Sequence, residues 1–341
     1  MDPAHQRRRP CQRHQLQPPH LRAAPGRRDR RPQGPGRAGR LRPVRLRPAR
    51  RGGFGGPWGR RTGHPGPGGP GGRLLNAPLA FRHQRVQRLR RLLRRRSVRR
   101  SEGAFVVEGA RLLGTALDAG AVVESVFVDQ AAPAGGDLTG LLDRALGAGA
   151  RVFELAPGLL ERVADTVTPQ PVLAVVRTPQ TSFEEALEGA GFVVVLAEVR
   201  DPGNAGAIVR AADAAGADAV VGCEGTADAF NPKTVRASAG SVLHLPVVEA
   251  GPAHEVLAEL GARGLRRVAA VAHGGRPHTE AALEGPVALV LGNEASGLAG
   301  ELETVLDEKV TIELAGRAES LNVALAAAVL CFEVRRRRSL P

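Results

Sequence analysis

FVVVLAEVRDPGNAGAIVRAADAAGADAVV, residues 192–221, decides how the C-terminal half folds. It opens on an unalternating apolar run, Val193–Ala197, and crosses a polar loop containing Asp201, Pro202 and Gly203. A helical pattern follows over Ala205–Ala215, and a second apolar run over Ala219–Val221. A strand with no polar face must be covered on both sides, as strands are in a parallel sheet flanked by helices. Strand, helix and strand at this spacing predict a βαβ unit.

The same pattern continues downstream. Val268–Val271, Val287–Leu291 and Val310–Ile312 read as further buried strands. Pro232–Ala239, Ala253–Arg263, Glu301–Leu306 and Leu321–Arg335 read as helices, the last running into Arg335–Arg338, cations suited to a helix C-terminus. A doubly wound α/β domain is expected. Upstream lies a smaller α/β pattern. Gln84–Arg100 reads as one helix with Val86, Leu89, Leu92 and Leu93 along one side. Strands are expected within Gly103–Gly109 and over Val122–Val128, Arg151–Leu155 and Val172–Val176. Helices are expected over Ala110–Ala119, Leu138–Ala148 and Leu159–Asp165. Residues 177–190 read as a linker with a helical turn or two.

Charge is split along the chain. Residues 1–100 hold 29 of the 48 basic side chains and two of the 34 acids, so the remaining 241 residues are net acidic. A basic segment in front of an acidic body points to a polyanionic partner. Residues 1–80, rich in Arg, Pro and Gly without apolar periodicity, cannot bury enough surface to offset chain entropy and are expected to be disordered. Two origins fit them: a basic arm, or translated upstream DNA from a start codon assigned too early. Cys11, Cys223 and Cys331 are isolated and odd in number, which disfavours a disulfide framework or a zinc site. No metal, membrane span or secretion signal is expected, and a reduced cytoplasmic setting is.

In open parallel sheets ligands bind beyond the carboxyl ends of the strands. Three segments fall there, each joining a strand end to a polar loop: Glu198–Arg210, Leu289–Leu298 and Ile312–Val323. None carries a GxGxxG or P-loop pattern, which disfavours nicotinamide or triphosphate chemistry. Taken singly, each has a plainer explanation. Asn204 can cap the following helix, Arg210 can be a solvated side chain, Glu294 a surface acid in a turn, and Ser320 and Asn322 caps of the last helix. Their joint occurrence, in order and each after a buried strand, favours a site.

Here the residues resemble a known family. DPGNAGAIVRAADAAGAD (201–218), LVLGNEASGL (289–298) and IELAGRAESLNVALAAAVLCFE (312–333) resemble the three motifs of the SpoU (TrmH-like) RNA 2′-O-ribose methyltransferases of the SPOUT superfamily. NPKTVRASAGSVLHLPV (231–247) is similar to a further stretch of that family, and residues 84–113 resemble, more weakly, its N-terminal substrate-binding domain. The resemblance implies an α/β chain with a SPOUT-type knotted parallel-sheet methyltransferase domain over 191–338. A small α/β RNA substrate-binding domain over 81–178, a linker over 179–190 and the disordered N-terminal arm precede it. It further implies S-adenosylmethionine as methyl donor, a homodimer with shared active sites, and RNA, most of all ribosomal RNA, as partner.

Carried over residue by residue, the resemblance gives Arg210, Asn204, Glu294, Ser320 and Asn322 catalytic roles. Gly292, Ile312 and Leu321, with Leu291 and Ala315 beside them, are placed at the donor. Attack of a ribose 2′-hydroxyl on a sulfonium methyl requires loss of the hydroxyl proton, so a base or a charge stabiliser is needed. A guanidinium normally stays protonated, which makes Arg210 a stabiliser and orienting donor before it is a base. Glu294 would pair with Arg210 or fix its loop. Arg94, Arg95, Arg96, Arg99 and Arg100 on the basic helix are the expected phosphate contacts. His244 and His273 are conceivable stacking partners in a chain without Tyr. Glu313 and Leu314 depart from the family pattern before Gly316, implying a modest change in the pocket wall. Other readings are a transfer RNA 2′-O-methyltransferase, a base-nitrogen methyltransferase, and a non-catalytic RNA-binding protein with a degenerate domain.

Overall fold

The structure is a computed structural model describing residues 77–130, 136–164, 166 and 168–339. The arm expected to be disordered therefore lies almost wholly outside the described residues. Its last residues do not behave as expected. Leu79 is buried, donates its N–H to the Glu154 carbonyl at 2.8 Å and bridges Leu155, so order begins before residue 81.

The small domain runs α1 (Gln84–Arg94), α2 (Arg96–Glu102), β1 (Ala104–Glu108), α3 (Ala110–Asp118), β2 (Val123–Asp129), α4 (Gly136–Gly147), β3 (Arg151–Leu155), α5 (Leu159–Val163) and β4 (Val172–Arg177). Its strands form one mixed sheet in the order β1-β4-β2-β3. Val86, Leu89, Leu92 and Leu93 are all buried, as their spacing requires. The single helix expected over Gln84–Arg100 is instead two. Arg95 adopts extended angles (φ −121°, ψ 114°), and the break turns the second helix so that Arg99 points inward.

After α6 (Phe183–Ala186) comes the larger domain: β5 (Phe192–Leu196), α7 (Pro202–Ala215), β6 (Ala219–Gly222), α8 (Pro232–Ala237), β7 (Val247–Glu249), α9 (Ala253–Ala262), β8 (Arg266–Ala270), β9 (Arg276–Pro277), β10 (Val287–Leu291), β11 (Glu308–Thr311) and α10 (Val323–Arg338). Seven parallel strands lie in the order β7-β6-β5-β10-β8-β11-β9. The two faces of β5 explain its lack of alternation. Phe192, Val194 and Leu196 join the core shared with α7 and α10, while Val193, Val195 and Ala197 join the core under α9. The helix expected over Glu301–Leu306 is a 3₁₀ segment, Gly300–Val305, and β11 stops one residue short of Ile312. β7 and β9, three and two residues long, were not expected; they are too short for periodicity to register.

The two domains share a buried cluster, with the Phe105 and Phe230 rings 4.9 Å apart across the junction. Polar contacts lock it. Arg99, 4 % exposed, pairs with Asp228 at 2.5 Å and donates to the Leu92 carbonyl at 2.6 Å. Arg96 pairs with Glu249, and Arg236 with Glu108.

Candidate active site

Strand order reverses between β5 and β10, and the loops after these neighbouring strands meet at their carboxyl ends. Asp201 caps α7 by accepting the Asn204 N–H at 2.9 Å, with Pro202 at the first helical position. The capping role thus belongs to Asp201 and not Asn204, which frees the Asn204 side chain. Lys233, entering α8, ion-pairs with Asp201 at 2.8 Å. That contact, and then the Asn204 N–H, hold the Asp201 carboxyl below the usual range. α7 approaches α8 closely enough that a Cβ on Gly206 would sit 2.4 Å from the Thr234 carbonyl oxygen, so only glycine fits there.

Glu294 ties the loops together. Its Oε1 accepts from Asn204 Nδ2 at 3.0 Å and the Asp201 N–H at 3.1 Å, and its Oε2 accepts from the Arg200 N–H at 3.2 Å. Burial pushes this carboxyl up, but the hydrogen bonds from Asn204, Asp201 and Arg200 together outweigh it and hold it below its ordinary value. Asn322 Nδ2 donates to Asn204 Oδ1 at 3.1 Å, while Asn322 Oδ1 caps α10 through the Ala324 N–H. Asn204, Glu294 and Asn322 thus form one chain of hydrogen bonds joining all three segments. Asn322 is both cap and site residue, so its two readings do not compete.

Beside this chain lies a cleft of about 400 Å³. Leu291, Gly292, Ile312 and Leu321, all expected at the donor, line it, as do Glu294 and Ser320. Leu314 lines it where Ala315 was expected, and Ala315 is exposed. A Cβ on Gly292 would sit 2.7 Å from the carbonyl carbon and oxygen of Gly297, the partner across a turn held by paired Asn293–Gly297 backbone hydrogen bonds. Asn293, not singled out in the sequence, organises this turn. Its Oδ1 accepts the Ala295 and Ser296 N–H groups, and its Nδ2 reaches the carbonyl of Glu198, a residue held at φ 63°. The walls suit a nucleoside: aliphatic side chains for a base, and loop peptide groups for its polar edges.

Arg210 is exposed on α7, does not line this cleft and makes no ion pair among the described residues. The expected Glu294–Arg210 pair is absent; Glu294 fixes its loop instead. Ser320 is exposed at the cleft. Of the five arginines expected to meet RNA, Arg99 is buried against Asp228, Arg96 is tied to Glu249, and Arg100 lies 3.5 Å from Glu249. Only Arg94 and Arg95 are exposed without an ion pair among the described residues. His244 and His273 are exposed. Burial pushes the Cys223 and Cys331 thiols up to about 12, which argues against nucleophilic roles. Among the described residues no group of three His, Cys, Asp or Glu side chains could hold a metal, and no helix is long and apolar enough to cross a membrane.

A parallel sheet with three loops closing on an apolar cleft at its switch point is the frame of a doubly wound α/β protein that binds a ligand there. Comparison with known proteins narrows the class. Residues 191–332 match the SpoU rRNA Methylase family model, and residues 83–174 the MRM3-like substrate binding domain. The chain is 37 % identical over 238 residues, 70 % of its own length and 90 % of the relative's, to the 23S rRNA (guanosine(2553)-2′-O)-methyltransferase RlmP of Bacillus subtilis. It is 32 % identical to the 23S rRNA (uridine(2479)-2′-O)-methyltransferase of Streptomyces viridochromogenes, over 76 % of this chain and 92 % of that one. The crystal structure of the SpoU methyltransferase AviRb from that organism, in complex with AdoMet, superposes with a TM-score of 0.68 at 32 % identity, covering 75 % of this chain and 98 % of that one. The chain belongs to the SpoU family of RNA 2′-O-ribose methyltransferases.

Proposed function

We propose that this chain methylates a ribose 2′-hydroxyl of 23S ribosomal RNA with S-adenosylmethionine as donor. The hydrogen-bonded chain Glu294–Asn204–Asn322 beside an apolar cleft carries this reading, because it ties three separate segments into one frame. The donor, when bound, supplies an electrophilic methyl on a sulfonium centre. Leu291, Gly292, Ile312, Leu314 and Leu321 would hold it and keep water out. Asn204 and Asn322 fix the frame, and Ser320 at the cleft can donate to a phosphate or ribose oxygen. Arg210 stabilises the negative charge that grows on the 2′-oxygen as its proton leaves. The names of both relatives support 23S ribosomal RNA over transfer RNA.

A homodimer would complete the site. Arg210 lies off its own chain's cleft, and Leu325, Val329 and Phe332 form an exposed apolar stripe on α10, with Leu325 59 % exposed. Pairing of two such faces would cover the stripe and bring Arg210 to a partner's donor. The strand order, with β8 lying between the consecutive strands β10 and β11 and β11 between the consecutive strands β8 and β9, accommodates the family's trefoil knot. In this reading residues 81–178 hold the RNA, 179–190 link, and 191–338 catalyse, in the cytoplasm.

The test is transfer of label from tritiated S-adenosylmethionine to a 23S ribosomal RNA transcript, followed by alkaline digestion. Label in an alkali-resistant dinucleotide is the expected product. Label on a base, or on transfer RNA alone, overturns the assignment.

A further inference from the structure

Most of the arginines on α2 are spent on the domain junction, so the RNA surface of the small domain should be sought elsewhere. A groove of about 690 Å³ opens at the other edge of the sheet, between the chain entering α1 and strand β3. Arg82, His83, Arg85, Arg151 and Phe153 line it, and among the described residues no carboxylate does. Arg82, Arg85 and Arg151 make no ion pair among the described residues, although the described body is rich in acids and pairs most of its other arginines. Uncompensated cations in a concave site favour a polyanion.

Aromatic rings shape these cations. The Arg85 guanidinium lies over the Phe153 ring, 4.6 Å from its centre. Just outside the groove, Phe81 carries Arg90 and Arg162, each 4.3 Å away. A ring under a guanidinium restricts its rotamers and leaves its outer side as a platform on which a nucleobase can stack. Arg82 and Arg151, both exposed, would then meet phosphates on either side.

We infer that this groove is a second RNA-binding site, which anchors unpaired nucleotides of the substrate away from the methylated ribose. The inference rests on the reading of the chain as an RNA methyltransferase. β3 and β1 are opposite edges of a four-stranded sheet, and β1 faces the catalytic domain through Phe105 and Glu108. Three strand spacings, about 14 Å, therefore separate the groove from that junction. An RNA touching both groove and cleft must span more than that distance, which a trinucleotide centred on the target ribose cannot do. The chain's own upstream segment is a poor occupant: residues 1–76 carry 19 Arg against two Asp, the same sign as the groove.

The experiment compares the full-length protein with a variant carrying Arg82→Glu, Arg85→Glu and Arg151→Glu, and with a milder Arg82→Gln, Arg85→Gln, Arg151→Gln variant. Binding is read by fluorescence anisotropy without turnover. The probes are a labelled transcript of the 23S ribosomal RNA region that the wild type methylates and a trinucleotide RNA centred on the modified ribose. Both variants should lose about tenfold or more for the transcript, and the slope of log affinity against log salt should fall by about two to three. The short RNA and calorimetric S-adenosylmethionine binding should be unaffected. Unchanged transcript affinity and salt slope in both variants would overturn the groove. Equal loss for both RNAs would also overturn it, since it would place these residues at the cleft. A wild-type protein that binds neither RNA would sink the proposed function instead.

Discussion

Asn204 Nδ2 donates to Glu294 Oε1 at 3.0 Å, joining the loop after β5 to the loop after β10 across 90 positions of sequence. Because the same carboxylate also accepts the Asp201 and Arg200 N–H groups, one side chain sets the distance between the first turn of α7 and the donor loop. Glu294→Gln keeps the shape but loses the charge and one acceptor. A hydrogen bond to a charged group contributes roughly 1.5–3 kcal/mol, so methyl transfer should slow by about 10–100-fold. Single-turnover kinetics with saturating donor measures this, and wild-type rates in the variant would refute the role.

The same contacts make a pH prediction. The folded-state pKa of Glu294 is lower than its ordinary value of 4.5. A depressed carboxyl stabilises the fold fully above its unfolded pKa and loses that contribution as pH falls through the folded value. The stability gap between wild type and Glu294→Gln should be constant above about pH 5 and shrink on further acidification. Urea titrations at a series of pH values read the gap. A gap that widens in acid contradicts the sign.

Arg210 touches no acid among the described residues, so its loss should not disturb the fold. Arg210→Ala should reduce methylation by about 10³-fold, the scale for losing a stabiliser of developing charge. Donor binding by calorimetry and the melting temperature should stay near wild type. Arg210→Lys, which keeps charge but not the planar fork, should recover only part of the rate. Near-normal turnover in Arg210→Ala would show that the stabilising group lies elsewhere.

Much of this arrangement was legible in the sequence, for reasons that also explain the gaps. β5 read as doubly buried because every residue from Phe192 to Leu196 is apolar. The cap of α7 was legible in principle: Pro202 belongs at a first helical position, which points to Asp201 before Asn204. Glu294 was identified as a site residue, but its partners include backbone N–H groups, which leave no mark in a sequence. The break at Arg95 has no Gly or Pro to announce it. It is explained by Arg99 finding Asp228, 129 residues away, a tertiary contact that no local pattern encodes.

Gly292 makes a separate claim about the donor loop. An added Cβ would meet peptide atoms of Gly297 at 2.7 Å, and a backbone neighbour cannot swing aside as a side-chain tip can. Gly292→Ala should therefore open the turn and weaken S-adenosylmethionine binding by about tenfold or more, the scale of 1.4 kcal/mol or above. The change lies at a loop and not in the sheet, so global stability should fall by only about 1 kcal/mol. Isothermal calorimetry with denaturant unfolding separates the two. Unchanged donor affinity would mean that this turn does not shape the pocket.

The Arg99–Asp228 pair tests whether the small domain is fixed to the catalytic one by charge or by apolar packing. Both side chains are buried, at 4 % and 8 % exposure, and Arg99 also satisfies the carbonyls of Leu92 and Leu93. Removing one partner strands a buried charge, so Asp228→Leu alone should cost about 3–5 kcal/mol. Asp228→Leu with Arg99→Met replaces the pair by apolar groups of similar bulk and should regain much of that loss, because the stranded charge has gone. The coupling energy from the double-mutant cycle should therefore be large and favourable. If the pair also sets the angle at which RNA is offered to the cleft, the double variant will be stable yet show a raised KM for long RNA with kcat for a short RNA kept. Additive losses in the cycle would instead mean that the junction is held by Phe105, Phe230 and their apolar neighbours, with the ion pair incidental.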